Sequence, residues 1–234
     1  MSESLTVHFA GSTVKFEVPG REEADLLRDR FQGFSTDPSG DTQPFMRLLW
    51  RIKQGPEFHF DFDRKTGRGL LECSGVIGNI DVAVRQLLPH LIDGAAFHSA
   101  LLIDHGRSYL CCGASGAGKS TLCSLLPDYA QSDELSAVIA GGTGHALPFW
   151  NARAGTAPLA GVFLLSHAAA HCRTRLDSAS AFREISHHVL WPRDDEHAIK
   201  RCLETVSAIV RDVPVWRLGF RPDPGVWALI SEPA

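Results

Sequence analysis

The stretch Gly113-Ala-Ser-Gly-Ala-Gly-Lys-Ser-Thr121 satisfies the pattern G-x-x-x-x-G-K-[ST] through Gly113, Gly118, Lys119 and Ser120. A polyphosphate is held by a concave run of backbone N–H donors, and the main chain curls that tightly only where side chains are absent or small. Gly113, Gly116 and Gly118, with Ala114, Ser115 and Ala117 between them, supply such a run. Lys119 is then placed to reach the β- and γ-phosphates of ATP, and the Ser120 hydroxyl to ligate Mg²⁺. The flanks agree with this. Tyr109-Leu-Cys-Cys112 reads as a buried strand, and Ser120-Thr-Leu-Cys-Ser-Leu-Leu126 as a helix stopped by Pro127. Strand, glycine loop and helix N-terminus is the order that anion binding uses. Residues 113–121 are the candidate nucleotide-binding site.

The residues just before the loop form a hairpin pattern. His98-Ser-Ala-Leu-Leu-Ile-Asp104 and Arg107 to Cys112 read as two strands around the two-residue turn His105-Gly106. With that turn, paired residue numbers sum to 211, which sets His98 opposite Gly113. Side chains alternate, so Ala100, Leu102 and Asp104 share the face of His98. A Mg²⁺-dependent transfer also needs a hard oxygen ligand and a group to position or deprotonate the acceptor. Asp133 and Glu134 in Gln131-Ser-Asp-Glu-Leu135 follow Lys119 by 14 and 15 residues, room for a helix, a turn at Pro127-Asp128 and a short strand. Asp133 is read as the base or positioning carboxylate assisted by His98, and Glu134 as the metal partner beside Ser120. The two roles can be exchanged, which makes Asp133 the alternative metal ligand.

Working outward, residues 1–95 read as a strand-rich α+β segment and 96–234 as the loop-bearing core. Leu5 to Ala10 and Thr13 to Val18 alternate apolar and polar around Gly11-Ser12, a hairpin signal. Arg21 to Phe31 is helix-compatible, and Phe58 to Phe62 and Gly69 to Cys73 look like strands. Asp61 and Asp63 are read as a solvated hairpin end rather than metal ligands. Ile80 to Ile92 carries apolar residues at helical spacing. After the acidic pair, Leu135 to Ala140 and Leu159 to Leu165 read as strands, Ala179 to Leu190 and Asp194 to Val210 as helices, Val213 to Leu218 as a strand and Asp223 to Ile230 as a closing helix. His167 and His171 stand four apart, as two helical metal ligands would, but lack the glutamate of H-E-x-x-H and are read as scaffold. Arg217 and Arg221 are read as partners in surface ion pairs.

Composition bounds the rest. The 234 residues are 44% hydrophobic and 21% charged with a net charge of −4, an ordinary globular balance with no basic excess to attract nucleic acid or an anionic membrane. The six cysteines show neither metal nor disulfide-scaffold spacing, and no apolar run approaches membrane-spanning length. The expectation is a cytoplasmic protein. Transporter ATPase subunits and nucleotide kinases carry the loop near the N-terminus, whereas 112 residues precede it here. The N-K-x-D of switch GTPases is absent.

His98, the hairpin, Gly113 to Thr121 and Asp133-Glu134 together resemble the C-terminal catalytic domain of HPr kinase/phosphorylase, a family related to ATP-dependent phosphoenolpyruvate carboxykinase. The resemblance extends to HPr-kinase-like proteins of bacteria, whose closing segment Trp216-Arg-Leu-Gly-Phe-Arg-Pro222 resembles. Glu134 stands where the family has a second Asp, and Asn151-Ala-Arg-Ala154 is the nearest remnant of its Glu-x-Arg-Gly stretch. The resemblance implies a mixed α/β (α+β) fold with a P-loop core of mixed sheet flanked by helices, and a homo-oligomeric assembly. It implies an ATP- and Mg²⁺-dependent kinase with catalytic Asp133, His98 and Lys119, acting on a hydroxyl, Ser foremost, of a protein, peptide or small molecule. It does not carry over HPr as the substrate, or the phosphorylase activity. The competing expectation is a nucleotide-binding regulatory or assembly protein without catalysis.

Overall fold

The computed structural model describes residues 3–18, 20–34, 46–53, 59–63, 66, 68–74, 85, 88–149, 152–192 and 195–232. The fold is mixed α/β, and the chain divides into two compact units, Met1–Asp93 and Gly94–Ala234. The division falls two residues before the expected boundary because the strand containing His98 starts at Gly94.

Among the described residues of the first unit, five strands follow the order β1-β2-β3-β5-β4, where β1 is Glu3–Phe9, β2 Ser12–Val18, β3 Met46–Lys53, β4 His59–Asp63 and β5 Arg68–Ser74. The β1–β2 hairpin turns at Ala10-Gly11, both at positive φ (46° and 78°), rather than at Gly11-Ser12. This is a correction of one position. Two left-handed residues match the twist of the flanking strands. The register Phe9↔Ser12 then places Ser12, Val14, Phe16 and Val18 all inward. Ser12 tolerates burial because its hydroxyl donates to the Leu91 carbonyl. Helix α1 (Arg21–Arg30) covers this face, burying Ala24 and Leu27 and stacking Phe31 on Phe16 at 5.1 Å. Strand β3 runs parallel to both β2 and β5 and joins the two hairpins. Of the expected helix at 80–92, residues 85 and 88–91 are helical, and most of the remainder lies outside the described residues.

The second unit holds an eight-stranded sheet. Its strands are β6 (Gly94–Asp104), β7 (Arg107–Cys112), β8 (Ala130–Ser132), β9 (Leu135–Ile139), β10 (Thr143–Ala146), β11 (Thr156–His167), β12 (Cys172–Arg175) and β13 (Val215–Phe220). The β6–β7 hairpin has the expected register, Ser99↔Cys112 to Asp104↔Arg107, around His105 and Gly106 at φ 44° and 73°. Strands β7, β11 and β13 run parallel, so Cys112, His167 and Phe220 end at one edge. Strand β10 pairs with both β9 and β11 and thereby closes β6, β7, β11, β10 and β9 into a ring. Small residues let it close. The Ser99 and Ser136 hydroxyls bond each other at 2.7 Å, Ser108 donates to the Ala157 carbonyl at 2.9 Å, and a Cβ on Gly144 would lie 2.5 Å from the Ser108 oxygen.

The sheet's other face makes the main core. Ala100, Leu102, Tyr109, Cys111, Phe163, Leu165, Leu218 and Phe220 alternate onto it and bury Leu122 and Leu126 at the helix after the glycine loop. That helix is α2 (Lys119–Leu125). Helix α3 covers Ser178–Ser186 and α4 Glu196–Asp212, each N-capped by an aspartate, Asp177 or Asp195. Helix α3 ends four residues before the expected Leu190, because Val189 leaves it to bridge Phe97 on β6. The chain closes with a 3₁₀ turn, Pro224–Val226, and helix α5, Trp227–Ser231. Among the described residues no helix is long and apolar enough to cross a membrane. Leu122 is fully buried between α2 and the sheet. Leu122→Ala is expected to lower unfolding free energy by about 2–5 kcal/mol, measured by urea titration.

Candidate functional site

The site is built where β7 ends. Residues 113–118 leave the strand and turn back on themselves, with Gly116 at φ 80° and Gly118 at φ 102°, in the left-handed region that residues with a Cβ rarely adopt. Gly113 is required by packing instead: a Cβ there would sit 2.7 Å from that of Ala117. The Ala117 amide donates to the Ala114 carbonyl at 3.0 Å and the Leu122 amide to the Gly118 carbonyl at 2.8 Å, which ties the loop into α2. Lys119 is 6% exposed and folds back on the loop, its ammonium donating to the carbonyls of Gly113 (2.7 Å) and Ala114 (3.2 Å). Ala114, Ser115, Gly116, Ser120 and Thr121 are exposed, so the outer side of the loop is open to a ligand. Beneath it the thiol of Cys112 is pushed up to about 12 by burial, and stays protonated and inert.

The carboxylates arrive from β8. Ser132 ends that strand and caps the turn, its hydroxyl donating to the Leu135 carbonyl at 2.6 Å and accepting from the Leu135 amide at 3.3 Å. The Ser99 amide donates to the Glu134 carbonyl at 3.1 Å, which brings the turn against β6. Within this frame the Nε2 of His98 lies 3.4 Å from Oε1 of Glu134, both side chains being about three-quarters buried (29% and 27% exposed). The sequence pairs His98 with Asp133 first and leaves the exchange open. The carboxylate that faces His98 in the structure is that of Glu134. Asp133 is half-buried on the α2 side, where its charge adds to the burial that raises the Cys123 thiol to about 12. The reason is the strand turn: consecutive residues diverge, and the residue tied to β6 is Glu134.

Two further histidines bear on the site, His167 by a bond to the loop and His188 through the charge of Lys119. His188 lies in the segment that leaves α3, where its carbonyl accepts the His98 amide at 2.8 Å and the Leu190 amide donates to the Ala96 carbonyl at 2.9 Å, on either side of an isolated bridge between Val189 and Phe97. Its imidazole is held below the usual histidine range by burial first, then by the positive charges of Lys119 and His98. His167 is the last residue of β11, and its Nε2–H donates to the Gly116 carbonyl at 2.7 Å. In the sequence His167 is weighed only as a partner of His171, and neither histidine is given a role at the loop. Both are placed by long-range pairing, and their spacing to the loop carries no local signal.

Other expectations resolve as structure. His167 and His171 are in a strand and the turn after it, with His171 3.6 Å from Asp223, so the helical metal spacing does not exist. Arg217 pairs with Glu184 at 2.5 Å and Arg221 with Asp223 at 3.2 Å. Among the described residues no group of three or more His, Cys, Asp or Glu is arranged to hold a metal ion. A scan against protein-family models and a search of the curated proteins both find no match to this chain.

The perturbed histidines set a pH dependence. His145, lowered by burial, and His188 both titrate below 6.5 when folded. As pH falls through 6.5 the unfolded chain therefore takes up protons first, and stability decreases. Unfolding free energy from urea titration is expected to be lower at pH 5.5 than at pH 7.5, and the loss is expected to shrink in His188→Gln.

Proposed function

We propose that Gly113–Thr121 is a nucleotide P-loop and that the chain is an ATP-dependent kinase with an HPr-kinase-like core, transferring the γ-phosphate to a hydroxyl of a protein, peptide or small molecule. One observation carries the reading. A glycine loop with two left-handed residues leaves a parallel strand for a helix, and a His98–Glu134 pair stands on the neighbouring strand and turn. The loop amides and Lys119 hold the β- and γ-phosphates, Lys119 exchanging its two loop carbonyls for phosphate oxygens. Glu134, oriented by His98, accepts the proton of the acceptor hydroxyl. The hydroxyl oxygen bonds to the γ-phosphorus as the bond to the β–γ bridging oxygen breaks, and ADP leaves.

The donor chemistry also fits Mg²⁺. Ser120 offers an exposed hydroxyl and Asp133 a carboxylate, both hard oxygen donors, with Glu134 as the alternative. A Mg²⁺ ion bound with a nucleotide takes one or two carboxylates and fills its remaining positions with phosphate and water oxygens. No cage of three protein ligands is needed for such an ion. Bound there, the ion would neutralise charge on the phosphates.

The test is transfer from γ-³²P-ATP to cell-extract and small-molecule pools. A labelled product that disappears in Lys119→Ala supports the kinase, and its mass identifies the acceptor. ATP binding without labelled product points to a nucleotide-binding regulatory or assembly protein. Glu134→Gln is expected to keep ATP affinity and lose transfer by roughly a hundredfold or more, the range of a general base. Wild-type transfer by Glu134→Gln together with loss in Asp133→Asn would reverse the roles of the two carboxylates.

A further inference from the structure

The geometry points to His167 as a positioning residue that latches the Gly113–Thr121 loop in its phosphate-receiving shape, an inference that rests on the nucleotide reading above. The starting point is strand register. Leu164 on β11 lies beside Cys112 on β7, so the last three residues of β11 run on past β7 and alongside the loop. His167, the last of them, meets the loop's tip from 51 residues away in sequence.

Its contact falls on one peptide unit. The Gly116 carbonyl can only accept, so the bond at 2.7 Å identifies Nε2 as the protonated ring nitrogen. The same peptide's N–H, that of Ala117, donates to the Ala114 carbonyl at 3.0 Å. The Gly116–Ala117 peptide is thus held at both ends. A flip of this plane would reverse a carbonyl and an amide at the tip of the loop, and Gly116, at φ 80° without a Cβ, offers little resistance to such a flip by itself. The imidazole supplies the resistance. Phe220, the last residue of β13, backs it: the two rings lie nearly parallel (28°) with centroids 6.3 Å apart. Together they wall the inner side of Gly118, where a Cβ would lie 2.7 Å from Phe220 and 3.5 Å from His167. Three parallel strands therefore shape the loop: β7 starts it, β11 latches its tip and β13 limits its depth.

A loop already in the bound shape loses less conformational freedom when the nucleotide arrives. His167 is exposed and lies outside the main core, so its loss is expected to act on nucleotide affinity and not on the fold. The experiment titrates the full chain, with Mg²⁺, against an N-methylanthraniloyl-ATP probe, alongside thermal unfolding without nucleotide. His167→Ala is expected to bind the probe about three- to tenfold more weakly, the equivalent of one hydrogen bond, with an unchanged unfolding temperature. His167→Gln, whose side-chain amide can present a donor near the position of Nε2, is expected to recover most of that affinity. Equal affinity of His167→Ala and wild type would overturn the latch and leave the nucleotide reading standing. Equal weakening in the Ala and Gln variants would overturn the hydrogen bond as its cause. A wild-type chain that does not bind the probe overturns the nucleotide reading and the latch together.

Discussion

The parallel pairing of β7 with β11 is the constraint on which the second unit depends. Parallel strands cannot be joined by a tight turn, so the chain must travel from one end of the sheet to the other between them. The first part of that journey is the glycine loop and α2, which pack Leu122 and Leu126 on the face of β6, β7 and β11. The same pairing sends the ends of β7 and β11 to one edge, and β13 joins them there. Ligands of open parallel sheets bind outside the carboxyl ends of the strands, where loops can converge without disturbing the ladders. The candidate site is at such an edge.

Closure of the ring through β10 gives this edge a firm base. Serine and glycine stand where the strands of the ring approach most closely, Ser99 against Ser136, Ser108 against the Ala157 carbonyl and Gly144 against Ser108. Each buried hydroxyl has a named partner, so the polar atoms inside the ring carry no unsatisfied penalty. Large apolar side chains lie on both faces: Leu101 reaches Gly144 beside Ser108 within the ring, and Leu102, Phe163 and Leu165 lie under α2. His98, midway along β6, meets the turn carrying Glu134.

The division between legible and hidden features follows the range of the interactions. The β6–β7 hairpin was legible because His105-Gly106 is a local turn signal between two apolar runs, and a two-residue turn dictates every pair in the ladder. At the first hairpin the glycine was visible but the turn was one residue earlier, since Ala10 adopts positive φ despite its Cβ. Composition alone favours Gly11-Ser12, and only the inward set Ser12, Val14, Phe16 and Val18 decides otherwise. Strand β3 is masked in the sequence because Leu48, Leu49 and Trp50 interrupt the alternation of Met46 to Lys53. Its parallel partners on both sides lie far away in sequence.

At the candidate site the sequence by itself determined the glycine loop, the strand before it, the helix after it and the hairpin that presents His98, because turn chemistry, glycine spacing and hydrophobic alternation are local. It also marked Asp133 and Glu134 as a pair without separating them. Tertiary structure decided that Glu134 faces His98, since the Ser99 amide ties that residue's backbone to β6. It decided, too, that His188 is tied to His98 on β6 and that His167 bonds the loop. Their positions are set by strands that pair across tens of residues, and a contact made by register between distant segments leaves no spacing in the sequence from which it can be read.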